Sequence, residues 1–219
     1  DFSYKGARAV ISVTGFEGVF GFLTSSFKAG DHKSERKDGA NYKVKNTDFD
    51  ANSKEAQKVR ETAQCLRDCG YELASHSFVH QAMNKCTDDF IMYDTKRFHY
   101  EVESLIGSVD ILLYPNGADL TEWYQSYNGN ERFNYLKKSG ILYYLNVDGS
   151  VSADGKLLNA ACQNPNTTKM EYFRGARLPI DGLVMSTNKD KLRTLLGLRV
   201  SKIWDKNRPD TVPDSSYRG

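Results

Sequence analysis

Four short apolar runs, each stopped by a turn signal and separated by stretches of helical periodicity, constrain this chain more than any other feature. Residues 7–14 are rich in β-branched and small apolar side chains and run into Gly15, which reads as a buried strand ending in a tight loop. Residues 71–75 repeat the pattern after Gly70, residues 110–114 are stopped by Pro115-Asn116-Gly117, and residues 141–147 end at Asp148-Gly149. Between them, Ala56, Val59, Ala63 and Leu66 recur at helical spacing. Asn52-Ser53-Lys54-Glu55 offers a capping box in front of that helix and Gly70 closes it. A second helix is predicted from about Thr95, with Phe98, Val102 and Leu105 on one face and Gly107 at its end. A third is capped by Asn130, runs through Phe133 and Leu136, and ends at Gly140. A strand at 183–185 and a helix over 189–196 complete the alternation, with no internal repeat. Strand and helix in alternation with short connections imply an α/β fold with a parallel sheet.

Such sheets, whether open or closed into a barrel, carry their sites at the carboxyl ends of the strands. Here Glu17, His76, His80, Asn116, Asp119 and Asp148 all fall just after predicted strands. His76 and His80 are two of only four histidines and lie four residues apart. If the chain turns helical after Ser75, both imidazoles share one face and can reach one cation, zinc being the metal that suits such a pair. The alternative is two histidines on a solvated turn. Glu17, in the glycine-rich loop 15–22, is placed either as a metal ligand or base or as a surface glutamate.

The 219 residues are expected to form a single domain, with a long polar loop over 24–52, another loop over 150–170 and a polar tail over 205–219. His32, within the first loop, reads as solvated. The net charge of +2 arises from mixed signs with no long basic run, so nucleic acid is not an expected partner. No apolar run approaches the roughly 18 to 20 residues of a transmembrane helix. The chain opens on Asp1, so a targeting segment is expected to have been removed or to lie outside it, and the residues themselves give no localisation. Four cysteines are too few for a disulfide scaffold. Cys65 and Cys69 fall four apart in a predicted helix, and Cys86 is either buried or a soft third ligand beside the histidines. Asn166-Thr167-Thr168 matches a glycosylation sequon.

The run from Leu66 to His80 resembles the second motif of the polysaccharide deacetylases, the NodB-homology family, a His-[Ser/Thr]-x-x-His sequence after a glycine-led strand. The spacing to Tyr114-Pro115-Asn116-Gly117 resembles that family's third motif, Arg-Pro-Pro-Tyr-Gly, and the likeness follows most of the chain in order. It looks like a divergent bacterial branch. The resemblance implies a distorted (β/α) barrel, metal-dependent removal of N- or O-acetyl groups from an oligo- or polysaccharide, and an extracellular or cell-surface setting. By the same resemblance, Glu17, His76 and His80 would hold a divalent metal, with zinc expected. Tyr114, Asn116, Asp119 and Arg174 would face the glycan.

Several positions depart from the family pattern. The family's Thr-Phe-Asp-Asp-Gly falls on Thr14-Gly15-Phe16-Glu17-Gly18, so the base position is Phe16, which takes no proton. The arginine that would orient the base falls on Leu113, and Ser186 stands near the place of the acid histidine. General acid–base steps contribute about 10²–10⁴-fold each, so their loss must be made good or the activity is lost. In one reading the chemistry is re-staffed: Asp148 or Asp119 serves as base, Arg177 or Arg174 stabilises the oxyanion, and Asp181 orients an arginine. In the other, the scaffold binds glycan without turnover, using some of its 13 Tyr, 11 Phe and 2 Trp. A redox or metal-storage role has little support, because the cysteines lack CxxC spacing.

Overall fold

The structure, a computed structural model, describes residues 9–26, 48–122, 126–147, 172–177 and 193. The chain divides into two units, Asp1–Asp148 with Asn159–Arg177, and Gly149–Leu158 with Leu178–Gly219. The polar loops, the tail, His32, Asp148, Cys162, Asp181, Ser186 and the elements predicted over 183–185 and 189–196 lie outside the described residues, Arg193 excepted.

Five strands, β1 (Val10–Val13), β2 (Glu72–Ser75), β3 (Ile111–Leu113), β4 (Tyr143–Asn146) and β5 (Phe173–Ala176), form one sheet in sequence order. Every neighbouring pair is parallel, with Val10 opposite Glu72, Ser75 opposite Leu112, Leu112 opposite Tyr144 and Tyr144 opposite Arg174. The α/β fold with a parallel sheet is therefore as the sequence implies. Among the described residues the sheet is open, and the barrel closure that the resemblance implies is not among its features. The order never reverses, so there is no switch point of the doubly wound kind. Right-handed crossovers, the near-universal rule, put successive connecting helices on one face of such a sheet.

The helices are α1 (Lys54–Asp68), α2 (Asp88–Arg97), a short α3 (Ser104–Ile106) and α4 (Glu131–Lys138). Helix α1 buries Ala56, Val59 and Ala63, the stripe its periodicity predicts. Its cap, however, is Ser53 rather than Asn52: the Ser53 hydroxyl accepts from the Ala56 amide at 3.1 Å. Asn130 caps α4 as expected, accepting from Phe133. The second helix begins seven residues before Thr95, at Asp88, with Thr87 as the cap and two acids in its first turn. It then continues through a π-helical segment, Phe98–Glu103, into α3.

Strand β5 is absent from the sequence reading. Its Phe-Arg-Gly-Ala offers neither alternation nor β-branched residues, and only pairing with β4 reveals it. Beneath β3–β5, Tyr127, Phe133, Tyr144 and Tyr172 pack ring against ring, with centroids 4.5–6.2 Å apart. Most aromatic side chains of this region thus belong to the core rather than to an open stacking surface.

Candidate functional site

Strand β2 delivers His76, whose amide still bonds the Val13 carbonyl at 2.9 Å. Beyond it the chain does not turn helical. Ser77 (φ 62°) and His80 (φ 53°) are left-handed, a costly conformation for residues other than glycine. The reason lies in the amides of residues 77–80, all four of which are satisfied by side chains. Ser77 donates to the Ser75 hydroxyl (3.1 Å), Phe78 and Val79 to the two carboxylate oxygens of Asp94 (2.9 and 2.8 Å), and His80 to the Ser77 hydroxyl (2.9 Å). Side-chain acceptors so placed compete with helical bonding and win here.

This loop still brings the two imidazoles together. Their ring centroids are 4.7 Å apart at 74°, close to the roughly 5 Å that two imidazoles on one tetrahedral metal take at bond lengths near 2.0–2.1 Å. His76 Nδ1 lies 2.6 Å from the Leu113 carbonyl, an acceptor only, so Nδ1 carries the proton and Nε2 keeps its lone pair. That is the outer hydrogen bond that orients a ligating histidine. Burial lowers the His76 pKa, and the nearby His80 and Arg177 lower it further, so the ring is neutral near pH 7. Neutral imidazole nitrogen is the donor type that zinc and related metals take.

The third expected ligand does not join them. Glu17 is exposed on the turn over 15–18, and among the described residues no three His, Cys, Asp or Glu side chains are grouped to hold a metal. The turn itself is fixed to the histidine loop, since the Gly15 and Phe16 amides both donate to the Phe78 carbonyl, at 3.1 and 3.0 Å. Gly15 is required there: a Cβ would lie 2.1 Å from the Phe78 ring. Phe16 packs against the core and its ring faces His80 at 6.5 Å, so an apolar surface stands where the family base would. Cys86 is buried, its thiol donating to the Ala82 carbonyl at 3.3 Å.

Across the sheet the expected glycan-facing residues separate into two groups. Asn116 is exposed and left-handed (φ 55°) at the end of β3. Tyr114, Asp119 and Arg174 are buried. Arg174 places Nε and Nη2 on Asp119 Oδ2 at 2.8 and 2.7 Å, and Tyr127 donates to Asp119 Oδ1 while lying 2.9 Å from the Tyr114 hydroxyl. Burial pushes the Tyr114 and Tyr127 hydroxyls up, keeping both neutral. Asp119 and Arg174 therefore face each other inside the protein. Arg177 is different. Half-buried at the end of β5, it donates from Nη2 to the Tyr114 carbonyl (3.0 Å) and from Nε to the Asn146 carbonyl (3.2 Å), beside His76. Burial lowers its pKa.

The residue that sequence reasoning missed is Asp94. Its signal was an acid on the apolar stripe Phe90, Ile91, Asp94, Thr95, Phe98, readable once Thr87 is recognised as the helix cap.

No family model matches the sequence, and no curated protein does. One solved structure, described as that of a "putative polysaccharide deacetylase from Mycobacterium smegmatis", is 14% identical with a TM-score of 0.35 over 68% of this chain. The match spans about half of that protein's length, 52%.

Proposed function

We propose that this chain is a polysaccharide-deacetylase-like hydrolase that takes a divalent metal, zinc by the chemistry of its donors, on His76 and His80 and acts on N- or O-acetyl groups of a glycan. The observation that carries the reading is the imidazole pair, 4.7 Å apart with His76 Nδ1 fixed on the Leu113 carbonyl, at the carboxyl edge of a parallel sheet. The distorted-barrel scaffold, the single-domain organisation and the extracellular or cell-surface setting in a bacterium go with the resemblance of the motifs and form part of the proposal. Bound at this pair, a metal would supply Lewis-acid polarisation of the acyl carbonyl. Arg177, held by two backbone carbonyls beside His76, would meet the developing oxyanion. Asp148 would take the proton, because Phe16 and Leu113 hold the family's proton-handling positions.

A second reading rests on that last observation. With an aromatic ring where a base should stand, the same edge of the sheet would bind acetylated glycan, through the exposed Asn116 and its neighbours, without turnover. Metal analysis of chelator-free protein, combined with acetate release from acetylated chito- and xylo-oligosaccharides, decides between them. Near-stoichiometric metal with acetate release lost in His76→Ala supports the hydrolase. Saturable oligosaccharide binding that survives metal stripping, with no acetate, supports the binder. Neither metal nor binding would overturn both.

A further inference from the structure

We infer that Asp94, on helix α2 and outside the ligand set, is the positioning residue that fixes the spacing of the two imidazoles. The inference rests on the proposed reading for its purpose, although its geometry stands alone. A five-residue span joining two ligands on one cation has two ways to hold them. A helix would do so through its own carbonyls. Here the span is not helical, and its backbone is held from outside.

Asp94 is buried and uses both carboxylate oxygens on consecutive amides, Phe78 at 2.9 Å and Val79 at 2.8 Å. Charge-assisted bonds of this kind are about twice as strong as neutral ones. They lie between the two left-handed residues, Ser77 and His80, whose strain needs an outside restraint to persist. The same clamp reaches the first-strand turn. Fixing the Phe78 amide also aims the Phe78 carbonyl, which receives the Gly15 and Phe16 amides and so carries Phe16 to its place beside His80. Thr87, which caps α2, and the packed ring of Phe90 hold the helix that presents Asp94. One buried carboxylate thus sets the imidazole pair and the apolar wall facing it.

The test uses the full chain. In the wild type, the His76 and His80 rings are expected to give inter-ring NOEs, and the Phe78 and Val79 amides to be protected from hydrogen exchange. Asp94→Asn is isosteric but offers one acceptor for two amides. It is expected to abolish the inter-ring NOEs and to weaken zinc binding by about 10- to 100-fold, the range for residues that orient metal ligands. Val59→Ala, on α1 and remote from the loop, destabilises the core while keeping both the NOEs and the zinc affinity. Retention of the NOEs and of zinc affinity in Asp94→Asn overturns the inference. Wild-type NOEs lost in the variant, with zinc bound by neither protein, support the clamp and sink the metal reading. Should Asp94→Asn fail to fold, hydrogen exchange in the wild type decides: protected Phe78 and Val79 amides support the clamp, and rapid exchange at both refutes it.

Discussion

Replacing Asp119 by Ala removes a carboxylate that takes both Nε and Nη2 of Arg174, in a place where water cannot substitute for it. Arg174 is 2% exposed and Asp119 8%. Among the described residues the guanidinium also meets the Thr121 and Glu122 carbonyls at 3.2 and 3.1 Å, and the face of Tyr127 at 4.2 Å. The Leu120 amide and the Tyr127 hydroxyl lose the Asp119 acceptor in the same step. Breaking one partner of a buried ion pair costs about 3–5 kcal/mol, because the surviving charge stays desolvated. For a chain of this size that corresponds to a fall of roughly 6–20 °C in melting temperature. Urea unfolding followed by circular dichroism measures it, with the midpoint falling at constant slope. The comparison that isolates the mechanism is Asp119→Leu with Arg174→Met, where no charge is stranded; its cost is expected to be well below the sum of the singles. A loss under about 1 kcal/mol in Asp119→Ala would refute the reasoning, and would return Asp119 and Arg174 to the list of residues free to meet a substrate.

Three further outcomes follow from the geometry. Because burial holds the folded-state pKa of His76 below its ordinary value of 6.5, the unfolded chain binds the proton more readily; this contribution to stability is complete well above 6.5 and is lost as pH falls below it, so His76→Gln should flatten the stability profile in that acidic window. Gly15→Ala sets a Cβ 2.1 Å from the Phe78 ring and should cost about 1–3 kcal/mol by urea unfolding, with an unchanged midpoint contradicting the close approach. Ser53→Ala should lose about 1 kcal/mol as the cap of α1, whereas Asn52→Ala should lose almost none, and the reverse order would restore Asn52 as the cap.

The strands that the sequence revealed share one property: each is a short run with apolar side chains that a glycine or proline borders on at least one side. Helix α1 was legible because Ala56, Val59 and Ala63 face the core at regular spacing, and α4 because Asn130 announces it. Where those local signals fail, so does the reading. Strand β5 carries Arg174 and Gly175 in its middle, and α2 places the charged Asp94 and Arg97 among its buried residues. Asn52 was preferred to Ser53 because Glu55 sits three residues after it, a pattern that does not reveal which side chain turns toward an amide.

Residue type and spacing alone determined that this chain forms a parallel α/β sheet and that His76 follows a strand at its carboxyl edge, because periodicity is a local consequence of burying one face; His80 was expected beside it on a helical turn, and a non-helical loop brings it there instead. Which polar groups meet was decided only by the tertiary structure. Asp119 and Arg174 are 55 residues apart and join inside the protein, while Asp94 reaches across to the amides of Phe78 and Val79. Such pairings depend on how separate elements pack, and on the need to satisfy every buried donor and acceptor, which no single segment encodes.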